Sequence, residues 1–264
     1  MHVARKRFGQ HFLHDPLVIG RIVDAIAPRS DDRMVEIGPG LGAITLPLLQ
    51  RLHRLDAIEI DRDAIAHLQQ ITAGSVAGRG QLRIHEADVL EFDLQTLLGA
   101  TNPQPLRVVG NLPYNISTPL LFRLIEQRHC VQDMHFMLQK EVVDRMAAAA
   151  GDDSYGRLSV MLAPWLRVEP LFDIGTGAFR PPPRVVSTFV RLTPHVAAPF
   201  PLHNQARFAT VVASAFSQRR KTLRNSLRSL LTEEQIRSVG VDPAARAEVI
   251  TPAQFAALAQ ITTN

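Results

Sequence analysis

From residue 34 to residue 150 the chain alternates short runs of β-branched and aliphatic residues with longer stretches of helical period. This alternation constrains the fold more than any other feature, because strand–helix–strand units wind into a parallel sheet covered by helices. Strands are expected at 34–37, 55–60, 82–85, 106–110 and 134–138, with helices at 44–53, from Asp61 onward, at 119–128 and at 141–150, the last stopped by Gly151. Ahead of them, Asp15-Pro16 reads as an N-cap followed by Pro at the first helical position, and Ile19, Ile22, Val23 and Ile26 keep helical spacing until Pro28. Two later apolar runs, 158–168 and 185–192, flank Pro181-Pro182-Pro183 without a clear helix between them, so they are expected as an antiparallel pair at one sheet edge. The fold class is therefore α/β, a Rossmann-like doubly wound sheet with an antiparallel edge.

The pattern changes at 194–201, where three prolines fall within eight residues, and beyond it only helical spacing remains, at 208–216, 223–231, 233–239 and 252–261. Two domains are expected: residues 1–194, a sheet domain with an N-terminal arm, and residues 200–264, a small all-α domain. With 46% hydrophobic and 20% charged residues the chain can bury a full core, which excludes disorder as its ground state. One cysteine, Cys130, excludes an internal disulfide; it lies between a helical and a strand pattern and is expected as a small packed hydrophobe. No apolar run is long enough for a membrane span and the basic N-terminus lacks the apolar core of a signal peptide, so a cytoplasmic protein is expected. Trp165 lies in an apolar stretch and is expected in the core. His11 and His14 have ligand-like spacing without a second pair, so no metal is expected.

Two strand ends carry chemistry. The stretch Val108-Val109-Gly110-Asn111-Leu112-Pro113-Tyr114 reads as a buried strand ending in a polar turn, and in open α/β sheets ligands sit beyond the carboxyl ends of strands. An Asn amide oxygen and a nearby backbone carbonyl can accept hydrogen bonds from an amino group, while the Tyr114 ring can stack on a flat base. The plainer alternative is a strand-ending turn whose Tyr packs on the surface. The second is Glu36-Ile37-Gly38-Pro39-Gly40-Leu41-Gly42, glycines between a strand and a helix that let a ligand approach the backbone. Glu59, ending the next strand, can hold two ribose hydroxyls, and Asp88, after the third, can accept from an adenine amino group. Gly38, Gly40 and Ala43 also fit a dinucleotide fingerprint, but a Glu36 carboxylate repels a pyrophosphate and suits a cationic sulfonium or amino-acid group. The balance favours a nucleoside-type cofactor.

A third feature is basic. Between Pro201 and Thr232 there are six cations, Arg207, Arg219, Arg220, Lys221, Arg224 and Arg228, and no acidic residue. On a helix Arg220, Arg224 and Arg228 would share one face, opposite a stripe of Leu223, Leu227, Leu230 and Leu231. Like charges at that spacing repel by a few tenths of a kcal/mol per pair, and their recurrence suits a phosphate backbone; the alternative is a solvated helix. The arm adds Arg5, Lys6 and Arg7, with Phe8, Phe12 and Leu13 that want burial, so it is expected to fold back onto the protein.

As a set these residues resemble the bacterial 16S ribosomal RNA adenine N6,N6-dimethyltransferases, the KsgA/RsmA family. The resemblance runs through 5–13, 35–42, 58–63, 107–121, 133–143, 155–161, 178–185 and 215–227. It implies a class I S-adenosylmethionine-dependent methyltransferase domain with a helical RNA-binding domain, acting on adenine N6 in the small-subunit RNA during ribosome biogenesis, without metal or membrane and as a monomer. Carried over by position, Gly38 lies against the cofactor, Glu59 holds its ribose and Asp88 its adenine. His11 and Leu13 close the arm over the site, and Asn111 bridges cofactor and substrate. Asn111, Leu112, Pro113 and Tyr114 form the target-adenine motif, Phe179 offers a second aromatic to the flipped base, and Arg220, Lys221 and Arg224 hold RNA. Two positions depart from the family pattern: His11 stands where Asn is usual, and Val185-Val186-Ser187 where Val-Asp-Ser is usual. Competing expectations are a related adenine methyltransferase of large-subunit RNA, which shares the Gly turn and the Asn motif, and a ribosome-assembly factor with little catalysis. A nicotinamide-dependent oxidoreductase lacks a proton-transfer residue beside the turn.

Overall fold

The computed structural model describes residues 11–73, 80–99, 104–113, 116–218 and 220–261, so Arg5, Lys6, Arg7, Phe8, Tyr114 and Arg219 lie outside the described residues. Residues divide into two compact units, 1–140 with 169–194 and 141–168 with 195–264. The second unit thus takes in residues 141–168, which the single expected boundary at 194–201 leaves with the sheet.

The first unit is built on a sheet of seven strands: β2 (Met34–Ile37), β3 (Arg54–Glu59), β4 (Gln81–Glu86), β5 (Leu106–Asn111), β6 (Val131–Gln139), β7 (Leu166–Ile174, whose first residues belong to the other unit) and β9 (Ser187–Pro194). Their order is β4-β3-β2-β5-β6-β9-β7. The first five strands of that order run parallel, and β9 returns antiparallel to β6, with Phe136 opposite Val190. Every residue of β2 and the first five of β5 are buried, which is why apolar residues fall on both faces of these strands instead of alternating, with Glu36 and Arg107 as buried charged exceptions. The helices between strands are α2 (Thr45–Leu49), α3 (Arg62–Ala73) and α4 (Ser117–Glu126), and α1 (Pro16–Ile26) precedes the sheet. Asp15 caps α1 by accepting from the N–H groups of Leu17 and Val18, with Pro16 in the first turn as expected. Its buried face, Ile22, Val23 and Ile26, packs with Leu48, Leu49, Met34, Leu55 and Val109. Cys130 is fully buried.

A second, two-stranded sheet pairs β1 (Phe12–Leu13) antiparallel with β8 (Phe179–Arg180), Leu13 opposite Phe179. The described end of the arm therefore does fold back, through main-chain pairing, and Leu13 and Phe179 both join the core of the unit.

The second unit contains most of α5 (Lys140–Ala147), α6 (Arg157–Leu162), α7 (Gln205–Ala215), α8 (Leu223–Ser226), α9 (Glu233–Ser238) and α10 (Pro252–Gln260). Its core joins Tyr155 and Val160 to Phe208, Val211, Val212, Leu223, Leu227 and Phe255. Two expectations are corrected here. Residues 158–162 are helical, not strand: Gly156 and Ser159 cap a helix, and the apolar run Leu158 to Leu162 is too short for its period to distinguish the two. Trp165 then falls in the turn before β7 and is only half-buried. The second correction concerns 223–231. Only one turn, α8, is helical, because the N–H groups of Leu223 and Arg224 are taken by the carbonyls of Ala245 and Pro243 and Thr222 bridges to Arg246. Leu223, Leu227 and Leu231 are buried as expected, but Arg220, Arg224 and Arg228 are exposed along a turn and a single helical turn instead of stacking on one helix face. Among the described residues no helix is long and apolar enough to cross a membrane.

Candidate active site

At the carboxyl ends of β2, β3 and β5 the first unit opens into a cavity of about 1000 Å³, at the top of the usual range for ligand pockets, roughly 300–1,000 Å³. One wall is the arm and the amino-terminal part of α1; the floor is Glu36, Glu59 to Asp61 and the loop 38–44 that leads into α2, and the rim is Asn111 to Pro113 with Arg180 and Pro181.

The loop after β2 turns sharply, with Gly38, Gly40 and Gly42 at φ of 64°, 55° and 84°. At Gly40 a side chain is doubly excluded, by that left-handed conformation and by the Phe12 ring 3.3 Å from where a Cβ would stand. The Gly40 N–H points at the Glu59 carboxylate, at 3.3 Å, and the other oxygen of Glu59 accepts from the N–H groups of Ile60 and Asp61, each at 2.9 Å. Glu59 is thus buried and held rigidly at the end of β3, lining the cavity. Glu36, from β2, is 2% exposed and accepts from the Thr45 hydroxyl at 2.7 Å. Burial pushes its carboxyl up to about 7; the Thr45 hydrogen bond opposes that shift and the negative charge of Glu59 adds to it.

Asn111 ends β5, the strand next to β2, and lines the same cavity as these two acids. Its side-chain Nδ2 donates to the His11 carbonyl at 3.0 Å. A carbonyl can only accept, so this bond turns the amide nitrogen to the arm and leaves Oδ1 as the acceptor on the other side. The His11 ring nitrogen Nδ1 is 2.8 Å from the Pro181 carbonyl, tying the arm to the loop after β8. His11, Leu13, Gly38, Glu59, Asn111, Leu112 and Pro113 are therefore brought together as the sequence suggests.

Five other expected residues are placed elsewhere. Phe179 is 2% exposed with its ring in the core, so it presents no face to a base; Arg180, its neighbour, lines the cavity instead. Asp88, two residues beyond the Glu86 that pairs with Glu59, is exposed, lies outside the cavity lining, and accepts from Leu90 N–H at 2.9 Å. Arg220, Lys221 and Arg224 are exposed residues of the second unit, with Arg224 3.9 Å from Glu233. Sequence reasoning missed Thr45, Phe12, Asp61, Arg180 and Pro181.

A mostly parallel sheet with a glycine turn after β2, an acid ending β3 and an Asn-Leu-Pro turn ending β5 defines a Rossmann-like methyltransferase. The family described as ribosomal RNA adenine dimethylase matches residues 1–264. A protein of Methylococcus capsulatus named ribosomal RNA small subunit methyltransferase A is 55% identical over 259 residues, 98% of each chain. Its namesake in Nitrosococcus oceani is 54% identical over 257 residues, 97% of this chain and 95% of that one. Among solved structures, a dimethyladenosine transferase of Plasmodium falciparum superposes with a TM-score of 0.76 at 26% identity, covering 94% of this chain and 96% of that one. The 23S rRNA methyltransferase ErmE shares the fold with a TM-score of 0.72 at 24% identity, covering 94% and 98%. The chain belongs to the ribosomal RNA adenine dimethylase family.

Proposed function

We propose that this enzyme transfers methyl groups from S-adenosylmethionine to the exocyclic N6 of adenines in 16S ribosomal RNA, dimethylating two adjacent adenosines while the small subunit is being made. The observation that carries the reading is Asn111, its amide oriented by the arm, at the rim of a cavity whose floor holds two buried carboxylates. The names of the near relatives support the small-subunit RNA as substrate.

The cavity fits that donor. Its floor is acidic, which repels phosphates and suits a cationic sulfonium with an amino-acid tail, and it is open to main chain at the glycine turn. Glu59 would hold the ribose hydroxyls, Gly38 would lie against the nucleoside, and His11 and Leu13 would cover it. Asp88 would take the adenine amino group by turning from its own loop. When bound, S-adenosylmethionine supplies a methyl group already activated by its positively charged sulfur, so the protein need only position a weak nucleophile.

The adenine N6 lone pair is delocalised into the ring. Accepting its two N–H bonds at Asn111 Oδ1 and the Leu112 carbonyl favours a pyramidal nitrogen and offsets the positive charge that develops there. Tyr114 would stack on the extruded base, and no general base is required because the nitrogen becomes acidic only after it has been alkylated. Arg220, Lys221 and Arg224 would bind RNA phosphates. The alternative of an assembly factor with little catalysis is disfavoured by how fully the acceptor geometry is built.

Asn111→Ala is expected to lower methyl transfer to ribosomal RNA by about 10²–10³-fold, in line with losing one oriented group at a reacting centre, with an unchanged unfolding midpoint. Transfer within a few-fold of the parent, read with labelled donor and purified subunits, rejects the assigned role.

A further inference from the structure

Glu36 is the cavity group that recognition of ribose and adenine does not use. It is 2% exposed, on the interior strand β2, and lines the cavity floor. Among the described residues its one hydrogen-bond donor is the Thr45 hydroxyl. Glu59 beside it is supplied differently, with three main-chain N–H groups. Two acids thus share a floor where only one of them is well provided with donors. The other titratable and charged groups on the walls are Asp61 after β3, Arg51 after α2, His11 and His14 on the arm, and Arg180 on β8, while β5 faces Glu36 with Val109.

We infer that Glu36 carries a proton before the cationic methyl donor binds and yields it on binding, so that the enzyme separates donor from spent product by charge; this rests on the donor proposed above. The balance is simple. The Glu36 O–H bond breaks, its proton goes to solvent, and the carboxylate stays as partner to the incoming positive charge. S-adenosylhomocysteine lacks the methyl and with it the sulfonium charge, so it draws the proton off less completely and leaves more readily. The direction with pH follows from the environment already described, in which burial and the charge of Glu59 push the Glu36 carboxyl up to about 7. Below that pH the donor must expel a proton and binds more weakly; its affinity climbs as pH rises and levels off once Glu36 is ionised beforehand.

Calorimetry of the full chain with each ligand, between pH 6 and 8 in buffers of unlike ionisation heat, reads the proton directly. At pH 7 the donor is expected to release on the order of half a proton and S-adenosylhomocysteine distinctly less. Glu36→Gln should abolish the release and narrow the donor-to-product affinity ratio by about tenfold, the equivalent of one unit of carboxyl shift. Thr45→Val removes the hydroxyl that favours the carboxylate and should move half-maximal release to higher pH, a test that stands even where the glutamine variant misfolds. Equal proton release by the two ligands, or donor affinity that is flat across this pH range, overturns the inference while leaving the donor assignment intact. Binding of neither ligand overturns the donor assignment, and this inference with it.

Discussion

Gly110 shows how little room the acceptor turn has. It pairs with Ile37 on one side and Phe136 on the other, and a Cβ built there would stand 2.6 Å from the Ile37 carbonyl oxygen. That oxygen belongs to a buried strand and cannot step aside like a flexible side chain. Gly110→Ala is expected to cost about 1–3 kcal/mol of stability, the usual range for overpacking, and to push Asn111 out of register; an unchanged denaturant midpoint would mean that β2 and β5 can part freely. Strand-end residues such as Gly38, Glu59 and Asn111 were legible in the sequence because the fold class alone puts strand ends at the site. Thr45 was not, because its role exists only through Glu36, brought beside it by the glycine turn. Phe179 was legible as an aromatic near the site, but which way its ring faces is decided by pairing with Leu13, a partner far away in the chain.

At the scale of elements, α1 is held at one end and functional at the other. Pro16, Ile19, Gly20 and Val23 line the cavity. At its far end the buried Arg107, near the start of β5, donates to the Ile26 carbonyl at 2.7 Å and pairs with Asp32 at 2.6 Å and Asp133 at 3.0 Å. Arg191 from β9 adds a hydrogen bond to the Ala25 carbonyl at 3.1 Å. Cations at the carboxyl end of a helix also match its dipole. Arg107→Met is expected to cost about 3–5 kcal/mol, because it strands two partly buried carboxylates and the helix-end carbonyls; a loss under 1 kcal/mol in chemical denaturation would show that water replaces the arginine. The start of α1 was readable from Asp15-Pro16, whereas this anchor was not, since it joins residues from four separate stretches. Short apolar runs misled for a related reason: 158–162 carries no period of its own, and its helix is set by the Gly156 and Ser159 cap and by burial of Val160 among α7 and α10 partners.

For the molecule as a whole, each unit has its own core, and the alternation in the sequence foretold the sheet unit far better than it foretold the division. The helical unit recruits residues 141–168 through Tyr155, whose hydroxyl donates to the Ile250 carbonyl at 2.7 Å, a contact over 95 positions that no local pattern announces. The basic segment survives the loss of its expected long helix, because Arg220, Lys221, Arg224 and Arg228 all remain exposed. Its half-exposed pair with Glu233 is worth little in water. Replacing Arg220 and Arg224 together by Ala should therefore weaken RNA binding and lower the slope of log affinity against log salt by about one per cation removed; an unchanged slope in filter binding discards the phosphate contacts. Finally, the group that aims the Asn111 amide is a main-chain carbonyl reached from 100 positions upstream. No exchange of one side chain for another can delete an atom of the peptide linkage, so position 11 can trade Asn for His without disarming the acceptor. Truncating the N-terminus through that residue, by contrast, would free the amide to flip, making the enzyme's tolerance of drift there and its intolerance of shortening two faces of one bond.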